Sequence, residues 1–200
     1  MRTLYIKQIK PDFDYARPYS WSQHSSFHYS KKAWYEKYVL KQQPPPSAAM
    51  VLGSTVGDKL SSDPAYLKAV PRLPVFEQKI EFTIGDLSCI GFIDSWCPET
   101  KKLYEYKTSK DPWTQKKVDD HGQLKFYVLG LYLSLGIKPE DIEVSLFSLK
   151  THIVKGKSEL VDPIVLNCFR AKITTADVLR FYREVLHTRK EMISYYELSP

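Results

Sequence analysis

The 200-residue sequence predicts a mixed α/β fold, an α+β arrangement with a central mixed sheet flanked by helices, from three observations. Helical spacing occupies the first part of the chain. From Val75 to Lys107 the text turns extended and breaks at turn signals into three strands. A long helical pattern then separates these strands from further extended segments at 142–149 and 164–169. Helices, an antiparallel meander, a helix and more strands form an order that a sheet with helices packed on its faces accommodates. No repeat and no long Gly/Ser-rich or low-complexity segment divides the chain, so one domain over residues 1–200 is expected.

In chain order, residues 20–41 read as one helix, with Ser20 or Ser22 as N-cap and Phe27, Trp34 and Tyr38 on its apolar side, ended by Pro44-Pro45-Pro46. A second helix starts at Ser47. It carries Gly53 and Gly57 on one face, and each glycine weakens a helix by roughly 1 kcal/mol, so a close packing contact or a ligand approach is expected there. VFEQKIEFTI, a Gly-Asp turn and LSCIGFID form the first two strands, and Leu103–Lys107 the third. Residues 114–135 read as one long helix with the stripe Leu124, Val128, Leu131, Leu135. Strands follow at Ile142–Leu149 and Ile164–Phe169. Thr174 or Thr175 then caps a final helix whose apolar face is Val178, Phe181, Val185 and Met192.

Composition narrows the function classes. No run approaches 18 apolar residues and MRTLYIKQIKPDFDY lacks a signal-peptide core, so no membrane association is expected and the cytoplasm is the expected compartment. Cys89, Cys97 and Cys168, without CxxC spacing, predict reduced structural thiols and no iron–sulfur cluster. A net charge of +6 suits a polyanionic partner, and 14 tyrosines among basic residues could stack on unpaired bases. His24, His28, His121, His152 and His187 show no HxH or HExxH spacing and read as surface or satisfied core histidines. Trp34, Tyr35 and Tyr38 read as helix packing.

The chemistry concentrates in GFIDSWCPETKKLYEYKTSKDP, residues 91–112. Ionised groups inside strand-like text cost several kcal/mol each unless compensated. Glu105 and Lys107, two apart on a strand, share a face. A turn through Cys97–Thr100 pairs residues whose numbers sum to 197, placing Asp94 opposite Leu103 and diagonal to Glu105; a register of 199 places Asp94 directly opposite Glu105. Either way two carboxylates and an ammonium converge. Hard carboxylate oxygens suit Mg²⁺ or Mn²⁺, and such an ion beside a lysine matches phosphodiester hydrolysis. Gln123 and Tyr127, one helical turn apart, can present an amide and a phenol to the same place.

GFID, then EYKTSK after an eleven-residue step, then QLKFY resemble the RecB-like branch of the PD-(D/E)xK nuclease superfamily, whose pattern is G-h-h-D, (D/E)-h-K-T and Q-x-x-x-Y. SWSQHSSFHYSKKAWYEKYVL is similar to that family's opening helix, so the likeness spans roughly residues 20–132. The resemblance implies a restriction-endonuclease-like core and a Mg²⁺- or Mn²⁺-dependent deoxyribonuclease with one or two ions. An exonuclease of phage or mobile-element recombination and repair is the expected type. It implies Asp94, Glu105 and the main-chain carbonyl of Tyr106 as metal ligands, Glu77 as a further acidic residue, Lys107 as the catalytic lysine, and Gln123 and Tyr127 as substrate contacts. DNA, as single strands or duplex ends, is the implied partner, with a helicase, recombinase or single-strand-binding protein as possible associates. Two departures stand out. Gly57 occupies the place of the family's G-x-x-x-H histidine, with Asp58 one residue off, and Ser30 replaces a frequent cysteine, which with no C-terminal cysteine triplet excludes the iron–sulfur subgroup. The alternatives are a catalytically weak DNA-binding module on the same fold and a nuclease subunit that works only within a larger complex.

Overall fold

The computed structural model describes residues 12–199. Most of the N-terminal stretch MRTLYIKQIKPDFDY lies outside them. The helices are α1 (Trp21–Tyr29), α2 (Lys31–Tyr38), α3 (Ala48–Ser62), α4 (Gln115–Asp119), α5 (Gly122–Leu135) and α6 (Thr175–Leu198). The strands are β1 (Val75–Ile84), β2 (Leu87–Cys97), β3 (Lys102–Ser109), β4 (Glu143–Val154), β5 (Lys157–Leu160) and β6 (Leu166–Ala171). A mixed sheet runs β1-β2-β3-β4, antiparallel except for the parallel β3–β4 pair, and β4 also pairs antiparallel with β6 along Val144–Leu149 and with β5 along Thr151–Val154. The parallel pair requires a crossover, which α4 and α5 supply. The mixed sheet flanked by helices matches the fold class expected from the sequence.

The main core lies where α5 packs on β1 and β2. Leu124, Phe126, Val128, Leu129 and Leu131 are fully buried, between the sheet on one side and α1 and α6 on the other. Close approach depends on Gly130: a Cβ there would stand 2.7 Å from side-chain atoms of Ile80 and Phe82. Gly91 performs the same service from the sheet side, since its Cβ would meet the Tyr127 ring at 3.1 Å. A second cluster, Val56, Leu60, Val70 and Leu149, seats α3, with Phe76 and Tyr106 packed against it.

Several expected elements divide or shift. The helix read over 20–41 is two, because Ser30 adopts an extended conformation (φ −159°) and its hydroxyl accepts from Ala33 N–H, ending α1 and capping α2 together. The helix read over 114–135 is also two. Thr114 caps α4, the chain turns at Asp120–His121, and α5 restarts at Gly122, where any side chain would strike the Trp21 ring at 2.5 Å. Leu135 is 61% exposed, since Gly136 in the left-handed region (φ 67°) ends the helix there. β5 was not anticipated; four residues of low apolar content carry no periodicity. Thr174 is the cap of α6, in a capping box with Asp177, and all four predicted apolar residues of that helix are buried. Trp34, Tyr35 and Tyr38 are core residues, as expected. Cys89, Cys97 and Cys168 are free thiols, the first two buried and Cys168 exposed. Among the described residues no helix is long and apolar enough to cross a membrane.

Candidate active site

The β2–β3 ladder decides the register. Cys97 pairs with Lys102, Trp96 with Leu103 and Ser95 with Tyr104, numbers that sum to 199. The next pair would be Asp94 and Glu105, and there the ladder stops. Instead of a backbone partner, the Asp94 carboxylate (Oδ2) accepts the Tyr106 N–H at 2.8 Å. A strand residue's N–H and C=O point to the same edge, so the Tyr106 carbonyl opens toward the gap that Asp94 spans. Strand β1 changes phase at the same level. Glu77 falls between the pairs Phe76–Ser95 and Gln78–Ile93, opposite Asp94, and takes a left-handed conformation (φ 49°). Its consequence is visible in the packing: Ile80, Phe82 and Ile84 belong to the α5 core, while Phe76, of the same parity, packs with Tyr106 in the α3 cluster. Three carboxylate-bearing residues on three adjacent strands thus sit where regular pairing fails.

Lys107 links this group to α5. Its ammonium lies 2.5 Å from Glu105 Oε1 and donates to Gln123 Oε1 at 2.8 Å, and Gln123 Nε2 in turn donates to the Tyr127 hydroxyl at 2.8 Å. Glu105, Lys107, Gln123 and Tyr127 therefore form one chain of contacts, and Asp94 stands close enough to Glu105 and Lys107 to act on both electrostatically. Glu77, Asp94, Glu105, Lys107 and Gln123 line a cavity of about 700 Å³ whose far wall is α3, through Gly53, Gly57 and Asp58 among others. A second cavity, of about 560 Å³, extends toward α1 and α2 with Trp21, Lys37 and Tyr38 on its wall. The two share Glu77, Asp94 and Gln123, so a groove passes over the carboxylates.

Burial dominates the electrostatics. The Glu105 carboxyl, 1% exposed, is pushed up to about 8 by burial, against the pull of Lys107 and with the Asp94 carboxylate adding to the rise. Asp94 also lies above its ordinary value through burial, opposed by the Tyr106 N–H and by Lys107. Burial lowers Lys107, but Glu105 and Asp94 together outweigh it and hold the ammonium above its usual range. Glu77 is raised by loss of hydration and by the carboxylates of Asp94 and Asp58. Two acids without enough positive charge between them form an electrostatic deficit that one lysine does not fill. Glu105 Oε2 is buried and finds no hydrogen-bond donor among the described residues. A buried carboxylate oxygen in that condition, beside a second carboxylate and a carbonyl edge, has the hard oxygen donor set that fits Mg²⁺ or Mn²⁺.

α3 carries what sequence reading underrated. Gly57 faces the cavity and a Cβ there would meet nothing within 4 Å, so no packing contact explains it, while Gly53 comes within ordinary contact of Thr108 Oγ1. Asp58 lines the same cavity and acts electrostatically on Glu77. Its position one residue beyond Gly57 was the available signal, and only the packing of α3 on β3 shows which way that turn of helix faces.

No known family profile and no curated protein matches the sequence. Solved structures do. One bearing the provisional name of exonuclease, from Eubacterium rectale, superposes with a TM-score of 0.63 at 11% identity, covering 90% of this chain and 81% of that one. A phage-related exonuclease from Haemophilus somnus 129PT gives a TM-score of 0.47 at 13% identity over 88% and 79% of the two chains. At such identity the first likeness speaks for the fold, and this chain has the same mixed α/β architecture as the Eubacterium rectale protein.

Proposed function

We propose that this protein is a metal-dependent deoxyribonuclease of the PD-(D/E)xK superfamily, of RecB-like type, that hydrolyses phosphodiester bonds and acts as an exonuclease on DNA ends. The observation that carries the reading is the buried, undonated Oε2 of Glu105 beside Asp94 with the Lys107 ammonium at 2.5 Å from the other oxygen. The exonuclease name of the Eubacterium rectale protein supports it. Asp94, Glu105 and the Tyr106 carbonyl, with Glu77 nearby, would hold Mg²⁺ or Mn²⁺, which supplies Lewis-acid polarisation of the phosphodiester and offsets the carboxylate charge.

The chain's own groups do the rest. Lys107, fixed between Glu105 and Gln123, is aimed into the groove with a donor free to meet a non-bridging phosphate oxygen as negative charge builds on it. Gln123 holds the ammonium in that position, and Tyr127 holds Gln123. The groove toward α2 offers the cations Arg17 and Lys37 to the backbone of a strand leaving the site. A role in recombination, repair or phage DNA processing, with a helicase, recombinase or single-strand-binding partner, belongs to the same reading. So does residence in the cytoplasm.

A second reading is a DNA-binding module with weak catalysis, favoured by the open space at Gly57, where a further ligand would otherwise stand. Time courses on linear, nicked and circular DNA with Mg²⁺ and with Mn²⁺ decide between them. The nuclease reading expects linear DNA to be degraded and Lys107→Ala to lower the rate by about 10²–10³-fold with DNA binding retained. Wild-type protein that shifts DNA but never cuts it, with either metal, selects the binding module.

A further inference from the structure

α1 and α6 assemble a second set of ligating groups that shares no residue with the cavity holding Glu105 and Lys107. His24 and His28 stand one helical turn apart on α1, their ring centroids 4.5 Å apart, and Glu184 faces them from α6. His24 Nε2 lies 3.2 Å from Glu184 Oε1, and one ligand atom from each of the three residues falls within 4.8 Å of the others. Tetrahedral bonds of about 2.0–2.1 Å put donor atoms about 3.4 Å apart, so one edge of the polyhedron is already formed. The remaining adjustment falls on His28 and Glu184, whose exposure leaves them free to make it.

The supporting groups are in place. The fully buried Tyr19 places its hydroxyl 2.7 Å from His24 Nδ1, which fixes the ring and turns Nε2 toward Glu184. Buried Thr188 stands 3.0 Å from His28 Nε2 and steadies the second imidazole. A cavity of about 280 Å³, bounded also by Trp21 and Phe181, opens directly on the three residues and has room for water. Two imidazole nitrogens and one carboxylate oxygen suit Zn²⁺ and not the all-oxygen preference of Mg²⁺.

We propose that His24, His28 and Glu184 form a Zn²⁺ site that ties the first helix to the last, with a fourth coordination position open to the α1–α6 cavity. The site does not depend on the nuclease reading. Its test uses the full chain carrying Asp94→Asn and Glu105→Gln, so that the carboxylate cleft cannot supply the signal. The protein is stripped with EDTA, dialysed and titrated with ZnCl₂ by calorimetry, and its metal content is read after gel filtration. One Zn²⁺ per chain is expected, unaffected by millimolar Mg²⁺. His28→Ala and Glu184→Gln, introduced separately at these exposed positions, should each weaken binding by about 100-fold or more with the circular dichroism spectrum unchanged. No saturable Zn²⁺ binding in the parent, or equal affinity in either variant, overturns the site and leaves His24 as a hydrogen-bonded core histidine.

Discussion

Glu105 has one carboxylate oxygen against Lys107 and the other buried without a donor among the described residues. That single side chain sets two expectations of opposite sign. Its folded-state pKa is raised to about 8, above the ordinary carboxylate value, so in metal-free protein the folded state binds the extra proton. This contribution to stability is complete below the ordinary carboxylate range and is lost as pH rises toward 8. Glu105→Gln, which keeps the shape and removes the charge, should therefore stabilise the EDTA-treated protein at pH 8 by a few kcal/mol, read from urea midpoints. On the nuclease reading it should also abolish DNA cleavage. Equal or lower stability of the variant would show that Lys107 already compensates the buried charge in full.

Gly130 shows how a helix is brought into range. The apolar character of α5 on all sides fits its place between sheet and helices, but the depth at which it lies is set by the missing Cβ. Gly130→Ala would press a methyl group into Ile80 and Phe82, at a cost of about 1–3 kcal/mol. It would also lift the helix turn that carries Tyr127 and Gln123. A lower thermal midpoint together with a cleavage rate reduced more than DNA affinity is the expected result, since Lys107 would lose its Gln123 anchor while the rest of the groove remained. The break at Ser30 belongs to the same scale. Ser30→Ala removes the hydroxyl that caps α2 and should cost about 1 kcal/mol in a denaturation midpoint.

Across the whole molecule, buried titratable groups shape one stability curve. His24 and His121 are lowered to about 4, first by burial, then by His28 in one case and by Lys107 in the other. Unfolded, both histidines take up protons near their ordinary value of 6.5, so their contribution is present above that pH and is lost as pH falls toward 4. Glu105 acts oppositely, losing stability as pH rises to about 8. These three groups together place the maximum stability of the EDTA-treated protein near pH 6.5, and Glu105→Gln, by removing a loss that runs from about 4.5 to about 8, flattens the alkaline side and steepens the rise below the maximum. Urea titrations from pH 4 to 9 measure both limbs.

What was legible in the text was local. Alternation and turn residues marked β1, β2 and β3, a threonine cap at 174 or 175 and an apolar face marked α6, and ionised residues in strand text marked Asp94, Glu105 and Lys107. The breaks within two helices were not, because Ser30 and His121 interrupt apolar spacing that itself continues through them. The choice between registers 197 and 199 was open in sequence and was made by packing of the strands. Nor does any pattern show that Glu77 reverses the faces of β1, or that His24 meets a glutamate 160 residues away. Sequence alone determined which groups carry charge and which segments extend or coil, because those properties are carried by short stretches of chain. Tertiary structure alone decided which charges share one buried space, because that depends on contacts between segments far apart in the chain and on the water they exclude.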